Sequence, residues 1–387
     1  MATKFGYFLI ADISGYTQYL SASELDHAQK TLTALLNLLI SHTKPPLIIS
    51  RLAGDAVISY GLRDGFLLGQ TFVEMLEDTY VSFRRAIELM VRNTTCQCNA
   101  CRNIGSLDLK FFAHYGEFGV QRLDRHDELV GSDVNLIHRL LKNSVKEATG
   151  FAAYTMYSQA AIEALGLTDA STGFVLHAET YDHLGTVQSF VQNMHPIWDK
   201  KRAEPLVLIG PDKQLMSLSV EIRVPRELVW EYLSRPDFAA RLLGGAKIEI
   251  EKRRSGQIGE GSLYQCYHGE GLISNLILDW RPFERVVFQF NMPVPIKGVI
   301  GMVEAKLETV EGGTLLTQIY SKCTGPLAGR VMAEMGLKSM SGRFEVQMAE
   351  FKAAVEADAV ARRTPMPAPA VTAETIMAAA RAALQPA

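Results

Sequence analysis

The sequence has little that would tie it to a membrane, to nucleic acid or to an oxidising compartment. No apolar run reaches the roughly 20 residues that a bilayer-spanning helix needs. The N-terminus lacks the basic start and cleavage region of a secretory signal. No membrane span and a cytoplasmic location are therefore expected. An excess of one charge sign is also missing. The 39 Lys and Arg against 42 Asp and Glu leave a formal net charge of −3, and basic residues spread along the chain offer no footprint for a nucleic acid partner. Cysteine is scarce, and three of the five are packed into Cys96-Gln-Cys98-Asn-Ala-Cys101, so no disulfide framework is expected. What remains is ordinary globular composition over 387 residues, enough for two domains with separate cores.

The most informative stretch is LIADISGYTQY, residues 9–19. Phe5, Tyr7, Phe8, Leu9 and Ile10 read as a buried strand, and Ser14, Gly15 and Thr17 then open a helix. A carboxylate, Asp12, is thus delivered to a strand end beside a helix N-terminus. That position suits a metal-bound polyphosphate, because free N–H groups and the helix dipole face the anion while the carboxylate holds its cation. Taken alone, Asp12 reads more simply as a cap of the helix that follows.

An amphipathic helix is expected over 21–41, ended by Lys44-Pro45-Pro46, and then a β-hairpin over 47–60 about the turn Gly54-Asp55. A second long helix follows over 66–90, then the cysteine turn, a strand over 107–119, and a helix after Gly131 that carries Asn135 and Arg139 on one face. A strand over 151–156, a short helix over 159–165 and an extended pair turning near Gly185 complete this half. The alternation points to an α+β sandwich with helices on a sheet face.

Four segments in this order, ADISGYT, RLAGDA, HYGEFG and GSDVNLIHRL, resemble the signature segments of the class III nucleotidyl cyclase catalytic domain. The likeness covers residues 5–195, about half of the chain. It implies a ferredoxin-like cyclase α/β sandwich that converts a purine nucleoside triphosphate, ATP or GTP, to a cyclic nucleotide and pyrophosphate. Such in-line attack on the α-phosphorus uses two divalent metals, so two carboxylates must converge. Asp12 and Asp55 match the metal aspartates of that family, with the Ile13 carbonyl as a further ligand. Gly15, Tyr16 and Thr17 form the turn that would cradle phosphates. Hard oxygen donors select Mg²⁺ or Mn²⁺. By the same resemblance Asn135 orients the ribose and Arg139 neutralises the α-phosphate. Arg51 and Glu128 stand at the base-reading positions, and the site forms between the two chains of a homodimer. Where the family carries a late phosphate-binding lysine, this chain has His183. The alternative to an active enzyme is therefore a catalytically inactive cyclase fold serving as a nucleotide-sensing or dimerisation module.

Cys96, Cys98 and Cys101 supply three soft ligands within a short span, one fewer than a tetrahedral structural zinc needs. The fourth could be a His, a water or a group from another subunit, and three reduced thiols are the competing reading. His114 is expected to be packed in its strand, and His138 carries no assignment.

The second half reads differently. The segment VEIRVPRELVWEYLSRPDF, six strands between residues 246 and 322, and one long helix over 327–357 resemble the helix-grip fold of the START-like, polyketide-cyclase-like superfamily. That resemblance implies a cavity for a hydrophobic small molecule between sheet and helix. Tyr264, Tyr267, His268 and Trp280 are candidate lining, against ordinary sheet packing as the simpler reading of each taken singly, and residues 216–357 assemble no nucleophile, base and oxyanion set. The expected organisation is a cyclase-like domain over 1–199, a linker over 200–215, a ligand-binding domain over 216–360 and a Pro- and Ala-rich tail over 361–387, in which 372–384 could form a helix. The C-terminal domain would tune the cyclase.

Overall fold

A computed structural model describes residues 3–63, 67, 69–94, 96–123, 126–168, 173–235, 242, 247–252, 257–268 and 271–362. The expected tail helix lies outside these residues. The chain divides into two compact units, Met1–Glu204 and Pro205–Ala370, and no helix among the described residues is long and apolar enough to cross a membrane.

The N-terminal unit is built on one mixed sheet. Its strands are β1 (Lys4–Ser14), β2 (Ile48–Ala53), β3 (Ala56–Leu62), β4 (Asp108–Leu123), β5 (His126–Val130), β6 (Tyr154–Ser158), β7 (Val175–Tyr181) and β8 (Gly185–Asn193). They order as β2-β3-β1-β4-β6-β8-β7, with β5 paired to β4. Only the β4–β6 pairing is parallel; β1 lies antiparallel between β3 and β4. The central strand is apolar without alternation because both faces are covered. Phe8 and Ile10 pack with Val134, Ile137 and Leu140 of α5 (Ser132–Leu140). Helices α2 (Leu25–Thr43) and α3 (Gln70–Asn93) pack on each other and on β3 and β4 respectively. Four short helices complete the unit's first part: α1 (Tyr16–Ser21), α4 (Asn99–Asn103), α6 (Val145–Thr149) and α7 (Gln159–Leu165). Helix α8 (His195–Ala203) ends it.

Several expectations need correction. The helix expected to open after Gly15 is α1, and the one expected over 21–41 is α2, which begins only at Leu25 and runs to Thr43, because Ala22 and Ser23 close α1 against Gln18 and Leu20. The strand expected to end at 119 continues to Leu123 and pairs with β5. Residues 126–130 are therefore strand rather than an approach to the helix. The pairing partner lies close in sequence, but its short, charged stretch has no apolar alternation to announce it.

The C-terminal unit is a curved antiparallel sheet ordered β10-β11-β12-β13-β14-β15-β9. Its strands are β9 (Gln214–Ile222), β10 (Lys247–Lys252), β11 (Leu263–His268), β12 (Gly271–Arg281), β13 (Arg285–Asn291), β14 (Ile300–Val310) and β15 (Gly313–Ser321). The first and last strands of this unit, β9 and β15, pair with each other, so the sheet closes the unit's sequence ends into one ladder. Helix α9 (Arg226–Ser234) follows β9, with Pro225 at its N-cap. The single C-terminal helix expected over 327–357 is instead two, α10 (Leu327–Ser339) and α11 (Ser341–Ala361), broken at Met340. Gly336 and Gly342 flank the break, and the Ser339 hydroxyl donates back to the Gly336 carbonyl at 2.8 Å, a local bond that competes with helix continuation. Within the unit, Met348, Phe351 and Val355 of α11 are buried.

Candidate functional site

β1 carries Asp12 two residues from its end, and Gly15 then breaks the strand. Gly15 has φ 84° and caps α1, with the Tyr19 N–H donating to its carbonyl at 2.9 Å. A Cβ here would stand 3.1 Å from the Ser106 carbonyl oxygen, so both the turn and the close approach require glycine. Asp55 arrives from the β2–β3 hairpin. Ala53 pairs with Ala56, leaving Gly54 and Asp55 as a two-residue loop, and Gly54 adopts φ 66° at the first central position, where such loops favour glycine. The hairpin tip is held to β1 by the Ile13 N–H, which donates to the Asp55 carbonyl at 3.2 Å. Asp12 itself stands opposite Ala56. The two carboxylates are thus fixed on neighbouring backbone.

The electrostatics follow from that placement. Burial pushes the Asp12 carboxyl up to about 6, the Asp55 charge adds to the rise, and the Lys110 ammonium opposes it. Burial also raises Asp55, against a hydrogen bond from its own backbone. Lys110 lies opposite Asp12 across the β1–β4 pairing and sits over the Tyr154 ring at 5.0 Å. Its own pKa is lowered by burial, with Asp12 working the other way. Two like charges share a partly buried place near the Lys110 ammonium. That is a setting in which a divalent cation relieves repulsion and desolvation together. The donors, carboxylate and carbonyl oxygens, suit Mg²⁺ or Mn²⁺. Lys110 escapes a sequence reading because its relation to Asp12 exists only in the sheet register.

A second cluster gathers Arg51, Glu128 and His138. Arg51 Nη1 donates to Glu128 Oε2 at 3.1 Å, and Arg51 Nη2 donates to His138 Nε2 at 3.4 Å. Burial first, and then the Arg51 charge, hold His138 below the usual histidine range. The three residues come from β2, β5 and α5. Together they present guanidinium donors beside a carboxylate, a combination able to read the donor and acceptor edge of a purine.

Asn135 and Arg139 lie exposed on α5. Among the described residues no hydrogen bond or ion pair joins either to the aspartates. The start of α5 is pinned by Asp133, which accepts from the Glu117 N–H at 2.6 Å and faces His114 Nε2 at 3.4 Å. His114 is buried, its Nδ1 2.7 Å from the Ser158 hydroxyl, and burial lowers its pKa. It is packed in its strand. His183 stands exposed in the β7–β8 turn with φ 67°. Tyr16 and Thr17 begin α1 beside Gly15.

In the C-terminal unit a cavity of about 140 Å³ is lined largely by Ile273, Phe290, Met292, Leu337, Met340 and Phe344, with Asn275, Arg343 and Gln347 as polar groups. The Gln347 side-chain carbonyl is buried without a hydrogen-bond partner among the described residues. Four other residues were candidates for the lining, with ordinary sheet packing as the competing reading for each. Tyr264 and Trp280 are buried in packing against Phe288 and Trp230, the Tyr267 hydroxyl donates to Glu249, and the His268 side chain lies outside the described residues. Leu337, Met340 and Phe344, from both sides of the break, line it together with residues of β12 to β15.

Two family models match the chain, one within each unit. A family model described as "Protein of unknown function (DUF2652)" matches residues 32–149, and one described as "Activator of Hsp90 ATPase homolog 1-like protein" matches residues 223–356. An uncharacterized protein of Mycobacterium tuberculosis is 43% identical over 63 residues, 16% of this chain and 30% of that protein. The match thus spans less than a third of the length of that relative. Among solved structures, the guanylyl cyclase domain of the RhoGC fusion protein of the aquatic fungus Blastocladiella emersonii is 17% identical, covers 49% of this chain and 97% of its own, and has a TM-score of 0.32. A bacterial light-regulated adenylyl cyclase is 11% identical over 52% of this chain and 57% of its own, with a TM-score of 0.38. The N-terminal half therefore has adenylyl and guanylyl cyclases among its structural neighbours, and the C-terminal half matches the Hsp90-ATPase-activator-like family model.

Proposed function

We propose that the N-terminal unit is a class III-type nucleotide cyclase that acts on a purine nucleoside triphosphate, ATP or GTP, and that the C-terminal unit tunes it by binding a hydrophobic small molecule. The observation that carries this reading is the convergence of Asp12 and Asp55 at the Gly15 turn, with burial and mutual repulsion raising Asp12 to about 6. Asp12, Asp55 and the Ile13 carbonyl would hold two divalent cations. When bound, these supply Lewis-acid charge neutralisation at the attacking and leaving oxygens of the phosphorus centre. The backbone N–H groups of the Gly15–Thr17 turn bind phosphate oxygens at the start of α1. Arg51 and Glu128 orient the base through guanidinium donors and carboxylate acceptors.

Asn135 and Arg139 face solvent on the chain that carries them, so their roles at ribose and α-phosphate are assigned to the site of a second chain. A homodimer follows from this assignment. The test mixes Asp55→Ala with Arg139→Ala protein in the presence of ATP or GTP and Mn²⁺. Each variant alone is expected to lose cyclic nucleotide formation by 10²-fold or more, on the order of 3 kcal/mol of transition-state stabilisation, and mixed dimers regain one working site. Subunit exchange without recovery overturns the shared site.

A second reading is nucleotide sensing without turnover, in a cytoplasmic signalling protein. It is favoured by His183, which stands at the exposed turn where the cyclase resemblance expects a lysine. Nucleotide binding with no cyclic product in the assay above would select it.

The C-terminal cavity supports the ligand-binding half of the proposal. Cavities of this size and apolar lining take up small hydrophobic molecules, and the unpartnered Gln347 carbonyl favours one that carries a hydrogen-bond donor.

A further inference from the structure

We infer that His27 completes a closed, tetrahedral zinc site with Cys96, Cys98 and Cys101, and that this metal fixes the segment on which the Gly15 turn rests. The ligand atoms of these four residues all lie within 4.8 Å of one another. His27 Nδ1 is 3.2 Å from the Cys98 sulfur, 3.7 Å from that of Cys96 and 3.7 Å from that of Cys101. A tetrahedral zinc with Zn–S near 2.3 Å and Zn–N near 2.0–2.1 Å requires N···S separations of about 3.5–3.6 Å. The observed distances bracket that edge. Hydrogen bonding does not account for the arrangement, because one imidazole nitrogen has a single proton or a single lone pair and cannot serve three thiols at once. A shared cation can.

The donor set decides the metal and its role. Three thiolates and an imidazole are soft to borderline ligands, which select zinc over magnesium or calcium. Four protein ligands leave no open position, which marks a structural rather than a catalytic centre. The surroundings are built for it. The Cys101 N–H donates to the Cys98 sulfur at 3.4 Å, offsetting thiolate charge as outer hydrogen bonds do. The Glu24 carboxylate, one turn before His27, accepts from the Ala100 N–H at 3.0 Å, which ties the start of α2 to α4 beside the cluster.

The same segment continues through a 3₁₀ turn, Ile104–Ser106, into β4. The Ser106 carbonyl is the atom that a Cβ at Gly15 would meet at 3.1 Å. The metal therefore clamps α2 to the stretch that forms the floor of the Asp12–Gly15 turn. Without it, the segment keeps the Glu24 bond, the Arg84 guanidinium on the Leu107 carbonyl and the burial of Ala100, Ile104 and Leu107, but loses the link to α2 at His27.

The test uses the full chain purified without added metal or chelator. Elemental analysis is expected to find one zinc per chain, and reconstitution with Co²⁺ to give the visible spectrum of a tetrahedral thiolate site. Chelation should lower the melting temperature and raise amide hydrogen exchange in both 96–106 and 15–19. His27→Ala should weaken zinc binding by more than the 10- to 100-fold that loss of a mere outer hydrogen bond costs, whereas His27→Cys, which restores four soft ligands, should retain the metal. Should His27→Ala fail to fold, the wild-type measurements and His27→Cys still decide. Four results would overturn the inference: protein free of zinc that takes none up from buffered zinc, iron in place of zinc, wild-type zinc affinity in His27→Ala, or exchange at 15–19 that ignores chelation.

Discussion

Both sheets of this protein bury carboxylates, and they treat them in opposite ways. In the C-terminal unit Asp279 and Glu304 are buried beside Arg285, itself only 8% exposed. Arg285 Nη2 reaches Asp279 at 2.9 Å, Nη1 lies 3.7 Å from Glu304, and Arg281 Nε adds a contact to Asp279 at 3.1 Å. Each negative charge has a guanidinium, so neither carboxylate is left facing a like charge alone. In the N-terminal unit Asp12 and Asp55 are partly buried against each other with Lys110 nearby, and Asp12 is pushed up to about 6. The difference teaches how to tell architecture from a site. Buried charge whose countercharge is built in holds strands together. Buried like charges in excess of their countercharge store unfavourable energy that a bound cation can release.

The largest expected effect comes from breaking the paired side. Arg285→Ala leaves Glu304 buried without its guanidinium and Asp279 with only Arg281 among the described residues, and should cost about 3–5 kcal/mol in urea unfolding. A loss below 1 kcal/mol would mean that this network is not neutralised in the way described.

Next is the repelled side, where the sign reverses. The folded-state pKa of Asp12 is raised from 3.8 to about 6, so the folded chain binds the proton more tightly than the unfolded one. Stability therefore falls as pH rises from about 4 to about 6, by roughly 3 kcal/mol over the full window for a shift of this size. Asp12→Asn removes that penalty. It should raise the metal-free melting temperature at pH 7 and leave it little changed at pH 4. It should also abolish stabilisation by Mn²⁺. In the wild type, protons compete with the cation at Asp12, so Mn²⁺ affinity should fall by up to about tenfold per pH unit below pH 6. An Asp12→Asn protein that melts lower at pH 7 would place Asp12 with the paired carboxylates of the other unit.

The smallest effect on stability is expected at Arg51. Its pair with Glu128 is 46% and 35% exposed on the two sides, and such pairs contribute about 0.2–1 kcal/mol. Arg51→Ala should scarcely move the melting temperature yet change the preference between ATP and GTP, measured by competitive binding. An unchanged preference would make this pair surface architecture, like the paired carboxylates of the second sheet.

The sequence by itself determined what depends on neighbours along the chain. An unbroken apolar run makes β1, a glycine able to take positive φ ends it at Gly15, and another in the Gly54-Asp55 loop makes the hairpin, so both aspartates stand at element ends for local reasons. The alternating strands and terminal helical segment of the second unit were legible for the same reason. Tertiary structure alone decided the relations across long separations. Lys110 meets Asp12 only through the β1–β4 register, and Arg51, Glu128 and His138 meet only where β2, β5 and α5 come together. His27 lies 69 residues before Cys96, with no spacing that could announce it as a fourth ligand. The residues that line the cavity, from β12 to β15 and from both sides of the break at Met340, come together only in the folded unit. Periodicity and turn chemistry are carried by the chain's own neighbours, while charge pairing, metal ligation and cavity lining are carried by residues that only folding makes neighbours.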